Sequence, residues 1–556
     1  MNKSKISIYQ VLPRLFGNKT GECVPNGNIK TNGVGKFSSF SSKALKSIKN
    51  LGITHIWYTG VLEHATKTAF RDIPADPSSI VKGEAGSPYA IKDYYDVSPT
   101  LASKVSQRMQ EFEALIARTH DTGLGVIIDF VPNHVARTYH SDSAPGDTKD
   151  FGCKDDRGVV FSPQNDFYYI PDQTLVLKDD KHEYIERPAR ATGNDCFSAT
   201  PTTHDWYETV KLNYGVDYVH GRHCHFEPRP PMWAKMLDIL RYWAQKGVDG
   251  FRCDMAEMVP LAFWTWCIGE LRKEYPHILF IAEVYRPHEY ASYVQAGFDY
   301  LYDKDGLYDT LTQVLRGHRP ASDITRIHFE QEHVKGHMLR FMENHDEVRL
   351  GSDFMIGDGE KAFPAMVVSA LIGATDGIMT YFGQELGERG MDTEGFSGLD
   401  GRTSIFDYWS VGSVRRWIGK RSMFSDKELT DKEKRLRTKY SKLLNGMLEY
   451  EALNKGGFFD LMYANHKPDI DHSRDYFFLR SDGKETFLVV VNFAEYPRKY
   501  EITIPMHAFE ILGMEDNRPV ILEDILSDSR GAAMLSSHEP IEVDVPAHGA
   551  VVYRLV

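Results

Sequence analysis

Arg252 and Asp254 stand two residues apart at the end of Gly247-Val248-Asp249-Gly250-Phe251, a run with the composition of a short strand leaving a helix. Side chains at i and i+2 of a strand share a face, so the guanidinium points the same way as the carboxylate and favours its ionised form. An aspartate held charged and aimed into a cleft is a candidate nucleophile, although the pair alone is equally compatible with an ordinary strand-end ion pair. Two further carboxylates decide the matter. Glu283 falls at the end of the apolar run 277–285, and Asp346 ends the run 338–346. Glycoside hydrolysis needs one carboxylate to attack the sugar or activate water and another to protonate the leaving oxygen. A third can support the developing positive charge.

The elements that must carry these groups alternate between strand and helix. Strand-like runs occur at 6–13, 52–59, 124–135, 247–251, 277–285, 298–303, 338–346 and 377–382. Between them lie segments with apolar residues at helical spacing: Ala44, Leu45 and Ile48; Phe112, Leu115 and Ile116; Met236, Leu237, Leu240 and Trp243. Eight such units in order predict an α/β fold, a (β/α)8 TIM barrel, which gathers residues from the C-terminal strand ends onto one face. About 80 residues of polar, aromatic and Gly/Pro-rich sequence after the third strand exceed an ordinary βα loop and predict an inserted subdomain. The expected divisions are barrel at 1–135, insertion at 136–215, barrel again at 216–455, and a C-terminal antiparallel β-sandwich at 456–556. The last follows from short alternating strands such as Thr486-Phe487-Leu488-Val489-Val490-Val491-Asn492. A Lys/Leu-rich helix from Thr430 to Asn454 closes the barrel.

Composition excludes several classes. An apolar content of 42% with 26% charged residues is that of a globular chain able to bury a large core. A net charge of -13 argues against nucleic-acid or anionic-membrane partners, both of which need clustered positive charge. The basic start Met1-Asn2-Lys3-Ser4-Lys5 runs into a strand too short and polar for a signal peptide's apolar region, and no run is long enough to span a membrane. Six cysteines without CxxC spacing argue against a zinc site and fit reduced thiols in a cytoplasmic enzyme. The residues do not set an oligomeric state.

Four motifs accompany the strand ends: Asp129-Phe130-Val131-Pro132-Asn133-His134, Gly250-Phe251-Arg252-Cys253-Asp254, Ala282-Glu283-Val284 and Phe341-Met342-Glu343-Asn344-His345-Asp346. A weaker fifth is Lys211-Leu212-Asn213. In this order they resemble the α-amylase family, glycoside hydrolase family 13, over essentially the full length. The resemblance implies a retaining mechanism. Asp254 would form a β-glycosyl ester, Glu283 would act as acid and then base, and Asp346 would bind sugar hydroxyls and stabilise the oxocarbenium-like state. It also implies that Arg252 keeps Asp254 ionised, that His134 and His345 are sugar ligands, and that Tyr89 is the aromatic platform. Asp129 and Asn133 would hold the first motif together. Cys253 should face the opposite side of its strand from Arg252 and Asp254, a packing thiol rather than a nucleophile.

Departures from the family pattern bear on substrate and metal. Glu257 and Met258 stand where starch-degrading members carry a Lys-His pair, and Met255 follows the nucleophile where members acting on α-1,6 bonds often have Val. Lys211 replaces the aspartate that joins the first-motif asparagine around calcium, and a fixed ammonium repels a cation. The expectation is therefore no cofactor and no metal at that site. Asp155-Asp156-Arg157-Gly158 lacks the spaced ligands of a calcium loop. The expected activity is hydrolysis of α-glucosidic bonds, α-1,4 first, in maltodextrins or starch fragments. Transfer to another sugar, or α-1,6 cleavage, is the alternative on the same fold. A non-catalytic carbohydrate-binding scaffold is the alternative of a different class.

Overall fold

The computed structural model describes residues 4–556, so the first three residues of the basic start lie outside the described part. Eight parallel strands close a barrel: β1 (Ser7–Val11), β2 (His55–Tyr58), β3 (Gly125–Phe130), β4 (Gly250–Cys253), β5 (Leu279–Ala282), β6 (Tyr300–Tyr302), β7 (Met338–Phe341) and β8 (Gly377–Tyr381). Sequential strands are neighbours, and β8 closes on β1.

The strands are apolar on both faces because a parallel barrel buries both. Ile8, Trp57, Ile127, Ile281, Tyr302, Leu339 and Met379 pack together inside. Their neighbours Tyr9, Ile56, Tyr58, Val126, Ile128, Phe280 and Leu301 belong to the outer layer against the helices. Cys253 lies in this outer layer, fully buried, as its place in the strand alternation requires. The predicted helices are α1 (Ser42–Lys49), α2 (Arg108–Asp121) and α3 (Pro231–Gln245), and each buries the apolar positions named above. The hydroxyl of Ser41 accepts the Ala44 N–H at the start of α1, supplying a partner for an otherwise orphaned donor. The long helix α4 (Asp431–Glu449) begins at a reciprocal cap between Thr430 and Glu433.

After β3 the chain leaves the barrel through the short strand His134–Ala136, which pairs antiparallel with Thr209–Lys211. A further hairpin, Val216–Asp217 with His223–Cys224, precedes α3. The excursion from the barrel thus extends past residue 215 to the start of that helix. The loop after β2 forms its own hairpin from Leu62–His64 and Ile91–Val97. The C-terminal part is a six-stranded antiparallel sheet with a two-stranded sheet, Arg498–Ile502 with Ile541–Val545. Among the described residues no helix is long and apolar enough to cross a membrane.

Candidate active site

Register brings the first two carboxylates together. Arg252 pairs with Asp129 on one side and Ile281 on the other, and Cys253 pairs with Ala282. One step further along β4 and β5 stand Asp254 and Glu283. The Asp254 N–H donates to Phe130 O at 2.8 Å, and the Glu283 N–H to Cys253 O at 3.2 Å. The ladder thus continues one residue past the regular strands and fixes both backbones.

Met255 then turns sharply. Its φ of 44° and ψ of 45° lie in the left-handed region, which costs a non-glycine residue energy and persists only where surroundings hold it. The turn aims the Met255 N–H at Glu283 Oε2, 2.7 Å away. Glu283 Oε1 accepts the Tyr285 hydroxyl at 2.6 Å. Tyr285 is itself pinned: its N–H donates to Glu257 Oε2 at 2.8 Å. Glu257, which stands where starch-degrading members carry the lysine of a Lys-His pair, therefore positions the tyrosine that holds Glu283.

Arg252 is wholly buried and spans the pair. Its Nη1 lies 2.6 Å from Asp254 Oδ1, its Nη2 lies 2.8 Å from Glu283 Oε2, and its Nε donates to the Tyr302 hydroxyl at 3.2 Å. The Nη2 pairing is an ion pair without hydrogen-bond alignment. Burial opposes the guanidinium's charge, but Glu283, Tyr302, Tyr89 and Asp254 around it hold its pKa well above the ordinary value. Desolvation raises the carboxyls of Asp254 and Glu283, and Arg252 pulls both down. Asp129, also desolvated, is pushed up to about 7.

Asp346 arrives from the end of β7. The side chain of Asn344 accepts the backbone N–H groups of Asp346 and Glu347 at 2.8 and 3.0 Å, an Asx turn that sets the carboxylate's direction. Its side chain keeps 43% of its accessible surface. It nevertheless sits between the cleft walls, where desolvation raises its pKa. His345 Nδ1 faces the Gln10 amide nitrogen at 2.7 Å, which leaves the ring proton on Nε2, 2.5 Å from the Tyr89 hydroxyl and 3.1 Å from Asp346 Oδ2. Tyr89 and His345 stack with centroids 5.3 Å apart. His134 is buried beside Trp206, with ring centroids 5.2 Å apart. Desolvation and nearby cations, Lys211 and Lys82 for His134 and Arg252 for His345, bring both imidazoles down to about 3. Both are neutral at any pH near 7.

Five of the seven residues singled out from the sequence, Asp254, Glu283, Asp346, Tyr89 and His134, open onto one cavity of ≈ 300 Å³. Arg252 and His345 stand directly behind that wall, touching Asp254 and Asp346. Sequence reasoning missed the remaining walls. Trp206 and Thr209 come from the insertion, and Ile405 and Phe406 come from the loop after β8. Lys82 and Glu208 form a largely buried ion pair at 2.9 Å. Tyr285 had a signal, since it stands two residues from Glu283 and so shares its face by the rule applied to Arg252 and Asp254. A larger cavity, ≈ 520 Å³, lies against the C-terminal sheet around Phe458 and Tyr463, away from the carboxylates.

At the position where the family resemblance implies calcium, Lys211 is buried. Its Nζ donates to Asn133 Oδ1 at 2.8 Å and pairs with Asp195 Oδ1 at 2.5 Å. A donor occupying the acceptors in this way does not fit a cation there.

A Tyr285→Phe enzyme removes one donor from Glu283. Because that hydrogen bond lowers the Glu283 pKa, its loss raises it, and the basic limb of kcat/KM against pH is expected to move to higher pH. A drop of about tenfold in kcat should accompany the shift. An unmoved limb would mean that Tyr285 does not act through Glu283.

The family model described as "Alpha amylase, catalytic domain" matches residues 10–295. Alpha-amylase 3 of Dictyoglomus thermophilum is 23% identical over 474 residues, covering 81% of this chain and 78% of that protein. The alpha-1,4-glucan:maltose-1-phosphate maltosyltransferase of Salinibacter ruber is 24% identical over 267 residues, or 47% of this chain, and the match spans only 32% of that protein's length. The crystal structure of the alpha-amylase from Geobacillus thermoleovorans, complexed with acarbose, superposes with a TM-score of 0.65 at 17% identity, covering 99% of this chain and 98% of the other.

Proposed function

We propose, from the premise that the chain belongs to the α-amylase family, that it is a retaining hydrolase of α-1,4-glucosidic bonds in short maltodextrins. The observation that carries the reading is the single buried guanidinium bridging Asp254 and Glu283 beneath Asp346. A nucleophile and an acid held as neighbours suit retention, which uses carboxyls about 5 Å apart rather than the wider gap an inverting enzyme needs for water.

In this reading Asp254, ionised against Arg252, attacks the anomeric carbon and forms a β-glycosyl ester. Glu283 gives its proton to the leaving oxygen and then takes one from the incoming water. Its desolvation favours the protonated form required first. Asp346, with His345 and His134 as neutral hydrogen-bonding partners, holds the sugar's hydroxyls, and Tyr89 offers a flat face. The small cavity closed by the Lys82–Glu208 pair, Trp206 and Phe406 supports short oligosaccharides as substrates. Six free thiols are consistent with a reducing, cytoplasmic setting. We also infer that Lys211 supplies, as a fixed charge, the cohesion that calcium gives relatives. A Lys211→Met protein would leave Asp195 without its cation and is expected to lose about 3 kcal/mol in urea unfolding. An unchanged midpoint would remove that role.

Transfer to an acceptor sugar is the second reading, favoured by the likeness to a maltosyltransferase. One experiment tests both: a time course of products from linear and branched maltooligosaccharides, with and without added acceptor. Hydrolysis predicts reducing ends that accumulate irrespective of acceptor. Elongated products growing with acceptor would replace the hydrolase by a transferase, and no turnover at all would leave a binding scaffold.

A further inference from the structure

Away from the cleft, the hairpin after β2 carries a second group of carboxylates with a different chemistry. Glu63, on Leu62–His64, and Asp96, on Ile91–Val97, meet Asp142 from the insertion, with one oxygen of each within 4.8 Å of the others. Register irregularities flank Glu63 on both sides, the kind of local bulge that re-aims a side chain. The residue opposite it in the ladder is Asp93, and like charges facing each other across a strand pair are destabilising.

The other members have partners. Asp93 accepts the Tyr95 N–H and the Ser141 hydroxyl at 2.7 Å each and the Asp142 N–H at 3.2 Å. Asp96 accepts the Val97 N–H at 2.7 Å and the Ser143 hydroxyl at 2.8 Å, and it pairs with Arg108. Asp142 lies 3.7 Å from the same guanidinium and is 55% exposed. Glu63 differs. It is 5% exposed, and its Oε2, shielded from water, has no hydrogen-bond partner. The nearby lysine, Lys92, is turned to Asp76 at 3.3 Å. Of these four carboxylates only Asp96 and Asp142 pair with the arginine, and the buried Glu63 keeps an oxygen without a hydrogen-bond partner.

We propose that Glu63, Asp96 and Asp142 form a calcium site that clamps the insertion to the barrel's second loop. The donors are all oxygens, as a hard cation requires, and three carboxylates on three separate segments suit calcium's large and flexible shell better than the strict octahedron of magnesium. Asp142 gives the open side, through which the ion enters and where water completes the shell. The ion would neutralise the Glu63–Asp93 opposition and give Glu63 its missing partner. It would also tie residue 142 of the insertion to the hairpin whose second strand begins two residues after Tyr89. The site is distinct from the Lys211 position.

The test uses the full chain, stripped with chelator and titrated with calcium chloride by calorimetry and thermal unfolding. One calcium per chain and a Tm raised by a few degrees at millimolar calcium are expected, because an ion bound only by the folded state stabilises it. Asp142→Asn, at an exposed position that leaves the fold intact, should weaken calcium binding at least about tenfold. Glu63→Gln should abolish the calcium response, since a neutral amide cannot supply the charged oxygen that the ion binds. A chelated protein with neither binding heat nor a calcium-dependent Tm would overturn the proposal. So would wild-type calcium affinity in both variants, which would put any ion elsewhere.

Discussion

Asp254→Asn is expected to lower kcat on a maltooligosaccharide by about 10,000-fold or more while leaving the protein folded. Asparagine keeps the shape and can still accept from Arg252 Nη1, now 2.6 Å from Oδ1. It cannot form the ester. Stability should hold or rise, because the native carboxyl is desolvated and pushed up in pKa, and a neutral group does not bear that cost. Loss of activity without loss of Tm separates chemistry from folding. The measurement is turnover of a nitrophenyl α-glucoside and of maltooligosaccharides by protein with a parental unfolding midpoint. A rate within about tenfold of the parent would remove Asp254 from the nucleophile's role.

Arg252→Met should have the largest effect on stability. The substitution strands two carboxylates in a wall from which water is excluded, and removing one partner of a buried ion pair costs about 3–5 kcal/mol. It also empties the space between Trp57, Tyr89 and Tyr302, each of which holds the guanidinium within 5.3–5.4 Å of its ring. The pH dependence has a definite sign. With Arg252 gone, the pKa values of Asp254 and Glu283 rise further above those of the unfolded chain. Each group then binds more protons folded than unfolded, so its contribution is intact at low pH and is lost as pH rises through the folded value. The stability gap between variant and parent should be wide at about pH 8 and narrow towards about pH 4–5. Urea unfolding at both values measures it, and a gap that does not change with pH would mean the arginine acts by packing alone.

How much of this was legible beforehand differs by residue. The barrel follows from local pattern, because a parallel strand buried on both faces is a continuous apolar run and a helix on its outside shows every third or fourth residue apolar. Strand ends were equally legible, so Asp254, Glu283 and Asp346 could be assigned to one face before any coordinates. The direction of Cys253 followed from alternation alone. Tyr285 could have been found by the same i, i+2 rule. Glu257 could not, because its target is the backbone N–H of a residue 28 positions away.

The amino-acid sequence by itself determined the fold class, the three carboxylates with their arginine, and the lysine at position 211, because each depends on residue type and on spacing within a single strand or motif. Only the tertiary structure decided what closes the cleft and what balances the remaining buried charge. Lys82 meets Glu208, Phe406 and Trp206 line the same cavity, and Glu63 meets Asp96 and Asp142 through loops that diverge from the barrel and return. Local periodicity fixes which face of a strand a side chain takes, whereas the contacts of a loop side chain are set by the path of the whole chain. That is why the chemistry of Asp254 could be read along one strand, while the walls around its substrate and the unpartnered oxygen of Glu63 required the assembled barrel.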